Sequence, residues 1–244
     1  MIDVKTYGDY PIGDVLFASC DSKYFIEHGP AFMQSANKFK QNLHLHIVNP
    51  TDEVKEIKDK CEKFENLTFS GEETNLEGID ERTYYACNRF IVASHVLRLC
   101  EAAIILDIDN ILMNEVQWNT CDIGLFLRDP LPGTVGWEHE STHVAAGIVS
   151  YSTPLGLDFL NRVSDKIKSY KELRWFADQN ALWKVYEENK HKLSTFVYDG
   201  SIMDWEFKPD TMLWTGKGPR KYDDPTYVSK DNELTERLIE SLHS

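Results

Sequence analysis

The sequence predicts an α/β domain built on a mainly parallel central sheet flanked by helices. Three observations carry that expectation. Short apolar runs alternate with helical stretches along the first half of the chain. Those runs end abruptly in polar residues, as buried strands do at one edge of a sheet. Apolar residues make up 42% of the 244 positions and charged residues 27%, proportions that supply an ordinary globular core.

The elements follow in order. Residues 14–20 (DVLFASC) read as the first buried strand. Residues 30–40 carry Ala, Phe and Met at helical spacing. Residues 43–48 (LHLHIV) alternate and then meet Asn49-Pro50, a strand running into a turn. Residues 51–64 form a charged amphipathic helix with Thr51 as its cap, and residues 67–69 give a short third strand. Residues 83–100 (TYYACNRFIVASHVLRLC) are the strongest helix. They lead directly into 102–107 (AAIILD), an apolar run too short to be another. Residues 122–127 and 144–151 (VAAGIVSY) add strands; residues 155–170 and 175–189 add helices. From residue 203 the tail is rich in Trp, Lys, Gly and Pro and reads as irregular. Without repeats, low-complexity tracts or a linker, residues 1–244 read as one domain.

Charge and cysteine usage narrow the function classes. A net charge of −14 argues against a whole-surface nucleic-acid binder and against an electrostatic membrane anchor. It leaves room for an anionic ligand held by a cation that reverses the local sign. The five cysteines, Cys20, Cys61, Cys87, Cys100 and Cys121, include no CxxC pair and read as reduced thiols. The opening residues carry no secretion pattern, and no run reaches the ~18 apolar residues of a membrane span. The expected setting is the cytoplasm.

The most telling chemistry is Asp107-Ile108-Asp109, directly after the apolar run Ile104-Ile105-Leu106. Ligands of open α/β sheets gather at the carboxyl ends of strands. Two carboxylates separated by one residue raise each other's pKa unless a cation neutralises them. Mg²⁺ or Mn²⁺ does so while taking further ligands from phosphate oxygens. The plainer alternative is a strand-ending surface turn. Arg89 on the preceding helix weighs against it.

These residues resemble the GT-A glycosyltransferases, above all the retaining glycogenin and lipopolysaccharide galactosyltransferase family. The helix with Arg89, the apolar strand and the Asp-x-Asp follow the family's order. The run FASCDSKY resembles its nucleotide-binding loop, which makes Ser19, Asp21 and Tyr24 contacts of the nucleotide, Tyr24 by stacking on the base. The run VAAGIVSYS resembles the strand facing the donor sugar; Gly147 matches, and Ala145 stands where the family usually has Asn. Phe176-Ala177-Asp178-Gln179 resembles the family's Asp-Gln motif, with Asp178 on sugar hydroxyls and Gln179 near the reacting carbon. Residues 213–221 (LWTGKGPRK) resemble the closing His-x-x-Gly-x-x-Lys loop, with Trp214 in place of the metal-binding His and with Lys217 and Arg220 over the diphosphate; Lys221 is a third cation there.

The resemblance covers about residues 14–221. It implies a nucleotide-binding half over about 14–114, a sugar and acceptor half over about 115–221, and a tail over 222–244. It implies a hexosyltransferase using Mn²⁺ or Mg²⁺ and a nucleotide sugar, UDP-linked by preference, with retention of configuration. The acceptor is left open among glycan, protein and lipid.

Two alternatives remain at this level. Ala145 and Trp214 are the departures expected of a sugar-nucleotide binding module without catalysis. His139-Glu140-Ser141-Thr142-His143 spells the zinc metalloprotease HExxH, which requires a helix placing both imidazoles on one metal. Pro132, Gly133 and Gly136 before it and the β-branched run after it predict a mobile loop instead. His44 and His46 share one strand face with no further ligand in view and read as structural. No Walker phosphate loop or GxGxxG is present.

Overall fold

A computed structural model describes residues 5–243. The elements in chain order are β1 (Thr6–Gly8), β2 (Val15–Asp21), α1 (Ser22–Lys38), β3 (Leu43–Val48), α2 (Asp52–Cys61), β4 (Leu67–Glu72), α3 (Glu81–Val96), β5 (Ala103–Leu106) and β6 (Asn110–Leu112). There follow β7 (Ile123–Leu127), α4 (Gly136–Ser141), β8 (Val144–Tyr151), α5 (Pro154–Lys168), α6 (Ala177–Asn189), β9 (Thr195–Val197), β10 (Met203–Asp204), β11 (Leu213–Thr215), α7 (Arg220–Asp223) and α8 (Pro225–His243).

The large sheet has eight strands in the order β1-β4-β3-β2-β5-β8-β7-β9. Strands β4, β3, β2 and β5 run parallel, as the strand–helix alternation requires. Strand β8 is antiparallel to both β5 and β7, so the parallel direction resumes at β7 and β9. The pairing of β7 with β8 slips between Leu125 and Phe126, a bulge that redirects β8 near Gly147. A small second sheet, β10-β11-β6, carries the chain back to residues beside the end of β5.

Both faces of the large sheet are covered. Phe17, Val15, Ala103 and Ile105 pack beneath α3, α5 and α6, whereas Leu16, Ala18, Ile104 and Leu106 pack with Phe25, Phe32 and Met33 of α1. This two-sided burial is why the β2 and β5 sequences are continuously apolar rather than alternating.

Helix α1 begins eight residues before the predicted start at residue 30. Asp21 supplies the cap, its carboxylate accepting from the Tyr24 amide at 2.8 Å. Pro30 therefore lies inside the helix and removes one internal hydrogen bond without ending it. Thr51 caps α2 as expected. Two segments depart from expectation. Residues 136–141 form a helical turn rather than a loop. The tail is not irregular throughout: α8 is a 19-residue helix that packs along α1 through Tyr227, Leu234 and Leu238. Among the described residues, all five cysteines are unpaired and no helix is long and apolar enough to cross a membrane.

Candidate active site

The carboxyl end of β5 is where the two halves of the chain meet. Asp107 follows the last residue of β5, and Asp109 precedes the first of β6. Buried Ile108 anchors the turn between them. The Asn110 side chain donates to the Asp107 carbonyl at 2.6 Å, and the Asp109 carbonyl accepts from the Tyr227 hydroxyl and the Gly216 amide, both at 2.9 Å. The Asp-x-Asp turn is thus held by its own chain, by β11's exit and by α8.

Arg89 enters from α3. Its guanidinium pairs with Asp107 Oδ1 and, at 3.1 Å, with Asp178 Oδ2 in the first turn of α6. Arg89 and Asp178 are almost fully buried. Burial by itself would disfavour the Arg89 charge, but Asp107 and Asp178 outweigh it and hold its pKa above the ordinary value. Burial raises the pKa of Asp178, against the pull of Arg89. For Asp107 burial again acts first; Arg89 opposes it, and the neighbouring Asp109 and Asp178 add to the rise.

Across from Asp107 lies Gly147 of β8. A Cβ there would approach Asp107 Oδ2 to 3.1 Å and the Met203 sulfur to 3.2 Å, so a glycine keeps that side of the carboxylate clear. On the other side stands Lys221. Its ammonium lies 2.6 Å from Asp109 Oδ2 and 4.8 Å from the centre of the Tyr24 ring. Burial works against the lysine's charge, but Asp109 overrides it and holds the pKa well above the ordinary range.

The remaining expected residues surround this centre. Ser19, near the end of β2, donates to Asn88 Oδ1 at 2.5 Å. Asn88 continues to Glu72 at 2.9 Å, which also receives the Tyr84 hydroxyl at 2.6 Å. Asp21 is committed to capping α1, which fixes Tyr24 one turn in. Gln179 accepts from Arg128 at 2.9 Å. Lys217 holds its ammonium 4.3 Å over the Trp205 ring. Desolvation, with Arg128 and Arg220 nearby, keeps its pKa below the ordinary lysine value. A cleft of about 710 Å³ opens at the same edge of the sheet, past the ends of β3 and β4, with Asn49, Glu73, Asn75 and Tyr85 in its lining.

The closing loop is arranged differently from the sequence expectation. Arg220 turns away from the carboxylates and donates to the Trp205 carbonyl at 2.7 Å. Trp214 packs with Ile111, Phe207 and Tyr227 in a separate apolar cluster. Thr215, the next residue on β11, pairs with Asn110 beside Asp109. Lys221, which the sequence offered only as a third cation of the closing loop, makes the close cationic contact to Asp109. The spacing His-x-x-Gly-x-x-Lys is met by Thr215, Gly218 and Lys221, a register that the sequence held but that the neighbouring Lys217 and Arg220 obscured. Arg128 was also missed; it stands alone at the end of β7 with no motif around it.

The HExxH run does not form a metal site. Helix α4 ends at Ser141, so His143 lies beyond it. His143 stacks on Trp183 at 4.0 Å and Glu140 pairs with Lys184 at 3.1 Å. His44 and His46 are fully buried and hydrogen-bonded to Thr68, Ser70 and Glu72, which is a structural role. Among the described residues no group of three or more His, Cys, Asp or Glu is placed to hold a metal.

No family model matches this chain. No curated protein matches it by sequence. Solved structures do match its fold. The galactosyltransferase LgtC, solved with donor and acceptor sugar analogues, superimposes with a TM-score of 0.61 at 15% identity over 92% of this chain and 96% of that one. The bifunctional glycosyltransferase WbbM gives 0.64 at 11% identity over 97% of this chain and 52% of its own length, so this chain spans about half of it. The glycosyltransferase GlyE of Streptococcus pneumoniae gives 0.55 at 11% identity over 95% of this chain and 64% of that one. The chain has the GT-A glycosyltransferase fold.

Proposed function

We propose that this chain transfers a hexose from a nucleotide sugar, UDP-linked by preference, to an acceptor, with Asp107 and Asp109 holding a divalent metal ion beside the donor diphosphate. One observation carries the reading. On the fold shared with LgtC, an Asp-x-Asp turn at the end of β5 is joined through Arg89 to Asp178 at the start of α6, with Gly147 and Lys221 on either side.

The residues suit such an ion. Both donors are carboxylate oxygens, the ligand type that Mn²⁺ and Mg²⁺ prefer. Arg89 occupies Oδ1 of Asp107, while Gly147 leaves room beside Oδ2. With two protein carboxylates, the remaining ligands would come from substrate phosphate and water. When bound, such an ion supplies charge stabilisation for the departing diphosphate.

The chain's own groups supply position and charge. Tyr24 offers a ring for the base, with Asp21 bonded to its amide and Ser19 near the end of the same strand β2 as further nucleotide contacts. Arg89 fixes the orientation of Asp107 and Asp178 together, which couples the diphosphate side of the site to the sugar side. Lys217 and Lys221 offer ammonium groups to the leaving diphosphate. Asp178 is already engaged by Arg89 and by the Gln179 amide at 2.8 Å, so it serves to hold a sugar hydroxyl rather than to attack the anomeric carbon. Gln179 brings an uncharged amide. A same-face displacement with retention fits that pair, and an inverted product in an anomeric NMR assay would overturn it. Five unpaired cysteines suit a reducing compartment, and the cytoplasm is the proposed setting.

The deciding experiment is a thermal-shift series with nucleotides and nucleotide sugars, with and without Mn²⁺. A ligand at 100 times its Kd adds about 2.7 kcal/mol to the folded state. The expected outcome is a Mn²⁺-dependent rise with UDP or a UDP-sugar that Asp107→Asn/Asp109→Asn abolishes. No response to any nucleotide would sink the proposal.

A further inference from the structure

Lys221 occupies the place that a cation on Asp109 would take. Its ammonium is 2.6 Å from Asp109 Oδ2, both side chains are only 9% exposed, and the Tyr24 ring lies on the ammonium's other side. Gly216 makes this close fit possible, because a Cβ there would come within 2.7 Å of the Lys221 Cβ. Gly218, at φ 62°, lets the chain turn back between them. The lysine lies within the short helix α7, which is closed by a backbone bond from Asp224 to the Arg220 carbonyl at 2.9 Å.

We infer that Lys221 is a built-in latch on the metal position, competing with a divalent ion for Asp109 and released when the donor diphosphate offers it another anion. The inference rests on the proposed function, because it requires a metal at Asp107 and Asp109. Its physical basis is direct. A carboxylate oxygen that coordinates a hard divalent cation at roughly 2.0–2.6 Å cannot also hold an ammonium at hydrogen-bond distance without strong repulsion between the two cations. With two carboxylates and, among the described residues, no third His, Cys, Asp or Glu beside them, the ion alone gains little when it displaces the lysine. With diphosphate present, the ion gains phosphate ligands and the ammonium gains a new partner. Metal and nucleotide therefore assist each other's binding, and the assistance is reciprocal. The latch also keeps Asp109 neutralised, and the ring of Tyr24 covered, while the site holds no donor.

The test measures Mn²⁺ affinity by electron paramagnetic resonance, with and without UDP, in the wild type and in Lys221→Met and Lys221→Arg. Lys221→Met keeps the length and removes the charge. The expected result is that it binds Mn²⁺ alone about 10-fold more tightly than the wild type, and that UDP then improves Mn²⁺ affinity by a smaller factor, since couplings of this kind span about 5–150-fold. Lys221→Arg stays close to the wild type. A Lys221→Met affinity equal to or weaker than the wild type's would overturn the latch while leaving the donor site intact. Absence of Mn²⁺ binding in all three proteins, even with UDP, would overturn it together with the reading beneath it. A second measurement needs no variant: acetic anhydride labelling of the wild type, read by mass spectrometry, should find Lys221 protected without metal and reactive at saturating Mn²⁺ with no nucleotide. Unchanged protection would also overturn the latch.

Discussion

His44 shows what a fully buried titratable group does to a fold. It sits on β3 with hydrogen bonds to Thr68 and Ser70, both at 2.8 Å, and burial, aided by the neighbouring His46, lowers its pKa to about 3. The unfolded chain takes up the proton near pH 6.5, the folded one only near 3. Between those values the unfolded state binds more protons, so stability falls as pH falls. At pH 5 the loss from this one group is about 2 kcal/mol. Urea unfolding of the wild type and His44→Gln at pH 7 and pH 5 should show the variant losing less stability over that interval. Equal losses would contradict it. At this same scale the site was unevenly legible. Asp107 and Asp109 announce themselves because two acids follow an apolar run, whereas Asp178 and Gln179 were singled out only through the family resemblance. Lys221 was named only as one of three cations between Lys217 and Lys221, and nothing in the local sequence tells which of them reaches Asp109.

Among elements, those defined by local pattern were readable and those defined by distant partners were not. Strands β3 and β8 fall on the predicted residues 43–48 and 144–151, because an alternating run stopped by Asn49-Pro50 and an apolar run rich in Val and Ile leave little choice. Helix α8 escaped notice. Its buried face is three residues, Tyr227, Leu234 and Leu238, widely spaced in a charged sequence, and it is stabilised by α1, about two hundred residues earlier in the chain. That contact makes α8 part of the site, since Tyr227 reaches the Asp109 carbonyl. Leu234, 2% exposed, lies in the cluster with Ala31, Ile111, Trp214 and Tyr227. Leu234→Ala should cost about 2–5 kcal/mol in denaturant unfolding. It should also weaken the nucleotide-induced rise in melting temperature, because the support of the Asp-x-Asp turn loosens. A loss of stability with an undiminished nucleotide response would mean that α8 supports the fold but not the turn.

The whole molecule is tied together at β5. This central strand pairs with β2 from the first half of the chain and with β8 from the second. Helix α3 lies on β2 with one side and packs against α5 and α6 with the other, so part of the apolar surface of the strongest predicted helix is covered by later sequence. Strand β6 is completed by β11. A fragment of residues 1–114 would therefore leave one edge of β5 unpaired and uncover the apolar surface of α3 on which α5 and α6 pack. Exposed apolar surface of that kind is incompatible with a stable monomer. The site divides along the same line: Tyr24, Arg89, Asp107 and Asp109 fall in the fragment, while Gly147, Asp178, Gln179 and Lys221 do not. Arg89 would lose Asp178, and Asp109 would lose its lysine. The two halves that the resemblance implies share one sheet through β5, so they are expected to fold together. The full chain should unfold in a single transition with coincident fluorescence and circular dichroism curves. The 1–114 fragment should show no cooperative transition and no response to UDP with Mn²⁺. A fragment that folds and binds would mean that the nucleotide half stands by itself and that β8 only adds to a sheet already formed.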